Sequence, residues 1–184
     1  MEKKIYYLTA VSSPIGEITL GCDDNGNLAG LWIEGQKYHG NTIHKKMTVK
    51  NDLPIFNTAK KWLDRYFAGK NPAISDLPLS PDGSKFRQQV WNILCEIPYG
   101  EIITYKKIAK KLAVITGKKS MSSQAAGGAV GHNPISIIIP CHRVVGSNGS
   151  LTGYAGGINK KIKLLELEGV DMSGLFAPEN GTAL

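Results

Sequence analysis

Ile137-Ile138-Ile139-Pro140-Cys141-His142-Arg143-Val144-Val145 is an apolar, β-branched run that stops at a proline, sets a cysteine beside a histidine, and resumes with two valines. The pattern predicts a buried strand that delivers a thiol and an imidazole to a fixed turn. A thiol attacks only as its thiolate, so a neighbouring base is what turns such a cysteine into a nucleophile. The competing account is a core filler, since free cysteines are among the most buried residues. Two glycine-rich segments separate Cys141 from that account. Gly127-Gly128-Ala129-Val130-Gly131-His132-Asn133-Pro134 lies upstream and residues 146–157, with five glycines, lie downstream. Glycine lets backbone approach a ligand closely, and loops at a strand end are where ligands sit.

The chain has 184 residues, room for one domain or two small ones with a real core. No apolar run approaches the ~20 residues of a membrane span, and the start, Met1-Glu2-Lys3-Lys4, lacks the apolar centre of a signal peptide. A cytoplasmic protein with no membrane partner is expected. Three widely spaced cysteines, Cys22, Cys95 and Cys141, give neither a disulfide framework nor paired zinc ligands. Cys22 and Cys95 sit among apolar neighbours and read as core. The net charge of +7 is uneven. Residues 83–172 hold twelve Lys/Arg against five Asp/Glu, whereas residues 1–82 hold ten against nine. That excess suits a polyanionic partner for the second half, although surface lysines also simply solubilise.

Three strands are expected near the start, at residues 5–8, 16–21 and 28–33, with Asp23-Asp24-Asn25-Gly26-Asn27 as a hairpin turn. Residues 36–51 are polar and read as a loop; His39 and His44 there are either metal ligands or solvated loop residues. Pro54 opens a helix whose Ala59, Trp62, Leu63, Tyr66 and Phe67 recur at helical spacing, and Gly69 ends it. Residues 71–83, with Pro72, Pro78 and Pro81, read as a linker. Ser84 caps the next helix, which shows Phe86, Val90, Trp91, Leu94 and Cys95 on one face. Thr104 caps a helix through Tyr105, Ile108, Ala109 and Leu112. Ser122 or Ser123 caps a short one, Gln124-Ala125-Ala126-Gly127-Gly128-Ala129-Val130. The last two resemble a helix-turn-helix. A smooth Ala/Gly helix suits a shallow surface such as a minor groove, or tight internal packing. A final helix over residues 159–168 ends at Gly169. Glu168 in its last turn is disfavoured by the helix dipole, so it either has a partner, His142 being the candidate, or is solvated. Residues 173–184 read as a frayed tail.

Four blocks in order resemble one family: Asn133-Pro134, Ile139-Pro140-Cys141-His142-Arg143-Val144-Val145-Gly146, Gly153-Tyr154-Ala155-Gly156-Gly157 and Leu164-Leu165-Glu166-Leu167-Glu168-Gly169. The chain is similar to the O6-alkylguanine-DNA alkyltransferases, specifically over residues 83–172 and more weakly over residues 1–80. The resemblance implies an α+β protein: a small ribonuclease H-like, non-catalytic domain at 1–80, and a mostly helical, winged-helix-like alkyltransferase domain at 83–172. It implies a monomer, without cofactor, that acts on double-stranded DNA containing O6-alkylguanine or O4-alkylthymine; the zinc site of some members is not evident, because Cys22 lacks partner ligands. The alkyl group would move irreversibly to Cys141, with His142 as base through a water and Glu168 orienting His142. By the same carry-over, Asn133 holds the cysteine turn and Tyr105 donates to guanine N3. Backbone at Cys141 and Val144 binds the exocyclic amine, and Tyr154, Ala155 and Gly156 line the pocket for a flipped base. Gln124, Ala125, Ala126 and Gly127 form the DNA-reading helix. Arg143 either fixes the turn or contacts a phosphate.

One position departs from the family pattern. Gln124 stands where an arginine usually enters the base stack, which implies weaker duplex binding or slower repair than an arginine form. Three other readings remain: a damage sensor on the same fold, which Cys141 opposes; a thiol hydrolase, which the skewed charge opposes; and an alkylation-sensing regulator, for which no further domain is present.

Overall fold

The structure is a computed structural model and describes residues 6–40 and 47–179. The chain divides into two compact units, Met1–Asp82 with Pro134–Ile138, and Gly83–Asn133 with Ile139–Leu184. Strands and helices mix in the α+β manner expected.

In the first unit, strands β1 (Tyr6–Ser13), β2 (Gly16–Asp23) and β3 (Leu28–Ile33) form an antiparallel meander. The Asp23–Asn27 turn forms as expected: Asp23 Oδ1 accepts from the Asn25 and Asn27 amides, and Gly26 supplies the positive φ of 79°. A fourth strand, β4 (Met47–Val49), pairs parallel with β1 inside the stretch expected to be loop. All three of its residues are exposed, so no apolar alternation announces it; backbone pairing alone makes it. His39 leans on Trp32, ring centroids 5.5 Å apart. His44 and the predicted strand start at Ile5 lie outside the described residues. Helix α1 (Pro54–Phe67) starts with proline at its first turn, where the missing N–H costs nothing, and buries Ile55, Phe56, Ala59, Trp62, Leu63 and Tyr66. The proline-rich segment is pinned rather than loose. Trp62 Nε1 donates to the Ala73 carbonyl at 2.8 Å, and Leu28 exchanges backbone bonds with Pro78 and Ser80.

The strand expected at residues 137–139 does not form. Those three isoleucines are buried, as their chemistry demands, but the chain turns through them, and Ile137 has φ 70°. The left-handed region costs a β-branched residue roughly 1–3 kcal/mol, so surrounding contacts must hold it. They are visible: the Leu31 amide donates to the Pro134 carbonyl, the Ser136 amide donates to Leu31, and the Ser136 hydroxyl donates to Gln36 Oε1 at 2.9 Å.

The second unit is mostly helical. Helix α2 (Lys85–Cys95) is capped by Ser84, α3 (Tyr105–Ile115) by Thr104 and α4 (Ser123–Gly131) by Ser122, each through a side-chain oxygen accepting from the first-turn amides. Trp91 of α2 donates Nε1–H to the Ala129 carbonyl of α4 at 3.0 Å. Two short strands, β5 (Ile103–Thr104) and β6 (Val144–Val145), pair in parallel. Helix α5 (Ile158–Leu167) closes the unit, with Gly169 at φ 73° after it. The tail is not wholly frayed: the Leu151 amide donates to Phe176 and the Phe176 amide to Gly149, while Met172 and Leu175 pack on Val145, Leu151 and Leu165. No helix among the described residues is long and apolar enough to cross a membrane.

Candidate active site

The Ile139–Pro140 segment leads into a single 3-10 turn, Cys141–Arg143, that ends where β6 begins. A turn this short points successive side chains in different directions, so Cys141, His142 and Arg143 reach three different partners while all three are buried. Asn133, at the end of α4, fixes the entry. Its Nδ2 donates to the Ile139 carbonyl at 2.8 Å and to Cys141 Sγ at 3.1 Å. Burial pushes the Cys141 thiol up, and the Asn133 bond and the Lys161 charge pull it back down.

His142 is fully buried, and its Nε2 lies 2.6 Å from Glu168 Oε1. Burial pushes the imidazole below its ordinary value despite that carboxylate, so the ring is neutral at physiological pH. A neutral ring donating Nε2–H to Glu168 carries its lone pair on Nδ1, the tautomer a general base requires. Glu168 sits at the C-terminal cap of α5, where the helix dipole opposes it. Burial also pushes its carboxyl up. The hydrogen bonds of His142 and Arg143 and the charge of Arg143 outweigh both and hold it down to about 2. Arg143 Nε and Nη2 reach the two oxygens at 2.8 and 3.1 Å, and the Gly100 amide adds a bond at 3.3 Å.

The guanidinium of Arg143 is thus spent. Besides Glu168 it donates to the Ile97 carbonyl at 2.6 Å and faces the Tyr99 ring. Of its two expected roles the structure supports holding the turn; buried as it is, Arg143 is not placed to contact a phosphate.

Residues 146–157 line the other side. Tyr105, at the start of α3, donates its hydroxyl to the Thr152 carbonyl at 3.1 Å. At Gly153, with φ 84°, a Cβ would stand 2.4 Å from that hydroxyl, so only glycine fits. Tyr154 is buried with its ring edge-on to His142, centroids 6.4 Å apart, and its hydroxyl finds no hydrogen-bond partner among the described residues. Burial raises both phenols, which keeps them proton donors. Ala155 and Gly156 are half-buried beside them, and Val144 is buried with its carbonyl taken by Lys161 Nζ.

Helix α4 brings Gln124, Ala125 and Gly128 to the surface, with Gly127 half-buried against the Tyr105 ring. Ala126 is a correction: it is fully buried with Ala129 and Val130 and cannot belong to an exposed reading face. Two residues of the cluster went unseen in the sequence. One is Lys161, whose place one helical turn before Leu164 and Leu165 was the available signal. The other is Thr152, which contributes only a carbonyl and so has no signal. Among the described residues no group of three His, Cys, Asp or Glu could hold a metal.

A buried thiol beside a neutral histidine held by an ionised glutamate, next to a capped Ala/Gly helix, defines a cysteine-based group-transfer protein. Residues 85–170 match the family model described as the DNA binding domain of 6-O-methylguanine DNA methyltransferase. Residues 5–81 match the ribonuclease-like domain of the same protein. This chain belongs to the 6-O-methylguanine DNA methyltransferase family. It is 40% identical to the methylated-DNA–protein-cysteine methyltransferase of Haemophilus influenzae, over 88% of this chain and 86% of that one. It is 42% identical to that of Methanosarcina acetivorans, over 89% and 98%. The crystal structure of the Mycobacterium tuberculosis O6-methylguanine methyltransferase superposes with TM-score 0.74 at 39% identity, covering 95% of this chain and 96% of the other. A second M. tuberculosis structure, in complex with DNA, gives TM-score 0.73 at 41% identity, covering 89% and 92%.

Proposed function

We propose that this chain reverses alkylation damage in double-stranded DNA by moving the alkyl group from O6 of guanine, or O4 of thymine, onto its own Cys141, once per molecule. The observation that carries this is the buried pair His142–Glu168 directly after the buried thiol of Cys141, with the imidazole in the neutral form that accepts a proton and the carboxylate ionised behind it. An alkylated O6 inside a stacked duplex is out of reach of a thiol, so the base must turn out of the helix, which costs least for a poorly paired base.

The thiol proton passes, by way of a water, to His142 Nδ1, and Glu168 stabilises the imidazolium so formed. The sulfur lone pair forms the S–C bond, the C–O bond breaks, and its electron pair stays on the base. The base recovers the proton and leaves. Tyr105, kept protonated by burial, is the donor for the developing charge at guanine N3. The unsatisfied hydroxyl of Tyr154 suits a polar atom of the same base. Of the α4 residues, Gln124, Ala125 and Gly128 are exposed and so available to the minor groove. The product is a thioether, which water does not hydrolyse, so no second cycle follows.

Intact-protein mass after mixing with excess duplex carrying one O6-methylguanine tests this. One methylene unit gained, mapped to Cys141 and absent in Cys141→Ala, is the expected result. No gain, or turnover beyond one equivalent, overturns it.

A further inference from the structure

The Glu168 carboxylate serves two donors that compete for one oxygen. His142 Nε2 lies 2.6 Å from Oε1, and Arg143 Nη2 donates to the same Oε1 at 3.1 Å while its Nε donates to Oε2 at 2.8 Å. The turn between α2 and β5 holds the guanidinium in that position. The Ile97 carbonyl accepts from Nη1, and the Gly100 amide donates to Oε2 at 3.3 Å. Tyr99 lies between those two residues and is half-buried. Its ring faces the guanidinium, with Arg143 Cζ 5.7 Å from the ring centroid. Its hydroxyl donates at 3.3 Å to the carbonyl of Leu167, the residue before Glu168. Burial and the Glu168 charge both raise that phenol, so it stays a donor. One side chain therefore meets the cation through its ring and the end of α5 through its hydroxyl. A ring face attracts a guanidinium most when the cation has lost its water, and Arg143 is buried. The hydroxyl bond keeps the ring from turning away.

We infer that Tyr99 is a positioning residue of the transfer reaction: it pins Arg143 across Glu168 and so limits the share of that carboxylate that reaches His142. This rests on His142 being the base for Cys141. Arg143 acts on His142 twice, by its charge and by occupying Oε1, and both disfavour the imidazolium. The other groups around the imidazole are held without Tyr99. Cys141 precedes it in the 3-10 turn, Tyr154 meets it edge-on, and Lys161 is tied to the Val144 and Thr152 carbonyls. A guanidinium without its ring cover leaves more of Oε1 to the imidazole. The His142–Glu168 bond then tightens, and His142 takes up a proton at a higher pH.

Tyr99→Leu removes the ring, whereas Tyr99→Phe keeps the ring and removes only the hydroxyl. The proton NMR resonance of the His142 Nε2–H reports its bond to Glu168 at neutral pH. It is expected to move downfield in Tyr99→Leu and to move less in Tyr99→Phe. The ratio of the methyl-transfer rate at about pH 5.5 to that at about pH 8 should fall about threefold in Tyr99→Leu, the effect of raising the midpoint of the base by about half a unit. A residue that only stabilises the fold would slow transfer equally at both pH values. An unmoved resonance, a movement in Tyr99→Phe as large as in Tyr99→Leu, or an unchanged ratio overturns the inference. Should Tyr99→Leu not fold, Tyr99→Phe made with a fluorinated ring decides. Fluorination keeps the ring's shape and weakens its hold on a cation, so the resonance should lie downfield of that in plain Tyr99→Phe, and no difference overturns the inference. If the unmodified protein takes no methyl group from the duplex, the alkyl-acceptor reading has failed, while the Nε2–H resonance still judges Tyr99.

Discussion

At the scale of single residues, the relay makes this protein sensitive to acid. Glu168 is held at about 2 against an ordinary 4.5, and His142 is pushed below 6.5. In both cases the unfolded chain binds more protons than the folded one, so stability rises with pH. The contribution of His142 is present above 6.5 and is lost as the pH falls below it. That of Glu168 is present above 4.5 and is lost between about 4.5 and 2, roughly 3 kcal/mol in all. Glu168→Gln should flatten that lower limb of the stability curve in urea titrations. At neutral pH it should cost about 3–5 kcal/mol, because Arg143 is left buried without its carboxylate. A variant whose curve keeps the wild-type shape would refute this. Cys141 and His142 were legible in the sequence because their chemistry is rare and adjacent, Glu168 because a carboxylate at a helix C-terminus asks for a partner, and Asn133 only through the family resemblance. Lys161 was not, and the choice between the two roles of Arg143 stayed open, since a cation's direction in a 3-10 turn or on a half-apolar helix face is set by tertiary packing.

At the scale of elements, α4 sets smoothness against stability. It has Gly127, Gly128 and Gly131 within nine residues, each costing about 1 kcal/mol relative to alanine in a helix interior. The two hydrogen bonds that Ser122 Oγ accepts from the Gln124 and Ala125 amides and the burial of Ala126, Ala129 and Val130 offset this. Gly128 is exposed, and a Cβ there would meet nothing within 4 Å. Gly128→Ala should therefore stabilise the protein by about 1 kcal/mol in thermal or chemical melts. It should also weaken duplex binding, because the added methyl sits on the face assigned to the groove. Stabilisation with unchanged affinity would mean that α4 presents another face to DNA. The helices were legible because their caps and apolar periods are local. The 134–138 turn and β4 were not. A β-branched run favours a strand locally, and long-range bonds to Leu31 and Gln36 hold the turn in which Ile137 has positive φ. Exposed Met47–Val49 carries no apolar pattern at all.

At the scale of the molecule, one cut at the linker does not separate the two units, because Pro134–Ile138 belongs to the first while Asn133 and Cys141 belong to the second. Such an excursion follows from pairing partners distant in sequence, which no local reading contains. The charge asymmetry, by contrast, is a sum over residues and was fully legible. It concentrates on the second unit, where Lys106, Lys107, Lys110, Lys118 and Lys119 are exposed on α3 and the turn before α4. Gln124 brings no charge of its own to the face proposed to read DNA, so on that proposal this lysine row is left to supply the attraction to phosphates. Each phosphate neutralised releases counter-ions and contributes about −0.9 to the slope of log affinity against log salt. Five such contacts would weaken duplex binding by several hundredfold between about 50 and 200 mM salt. Replacing Lys118 and Lys119 with glutamine should reduce the slope by about two while lowering affinity equally for alkylated and unmodified duplexes. Fluorescence anisotropy across a salt series measures both quantities. A slope that does not change would place those two lysines away from the backbone and shift the electrostatic footprint to Lys106, Lys107 and Lys110 on α3.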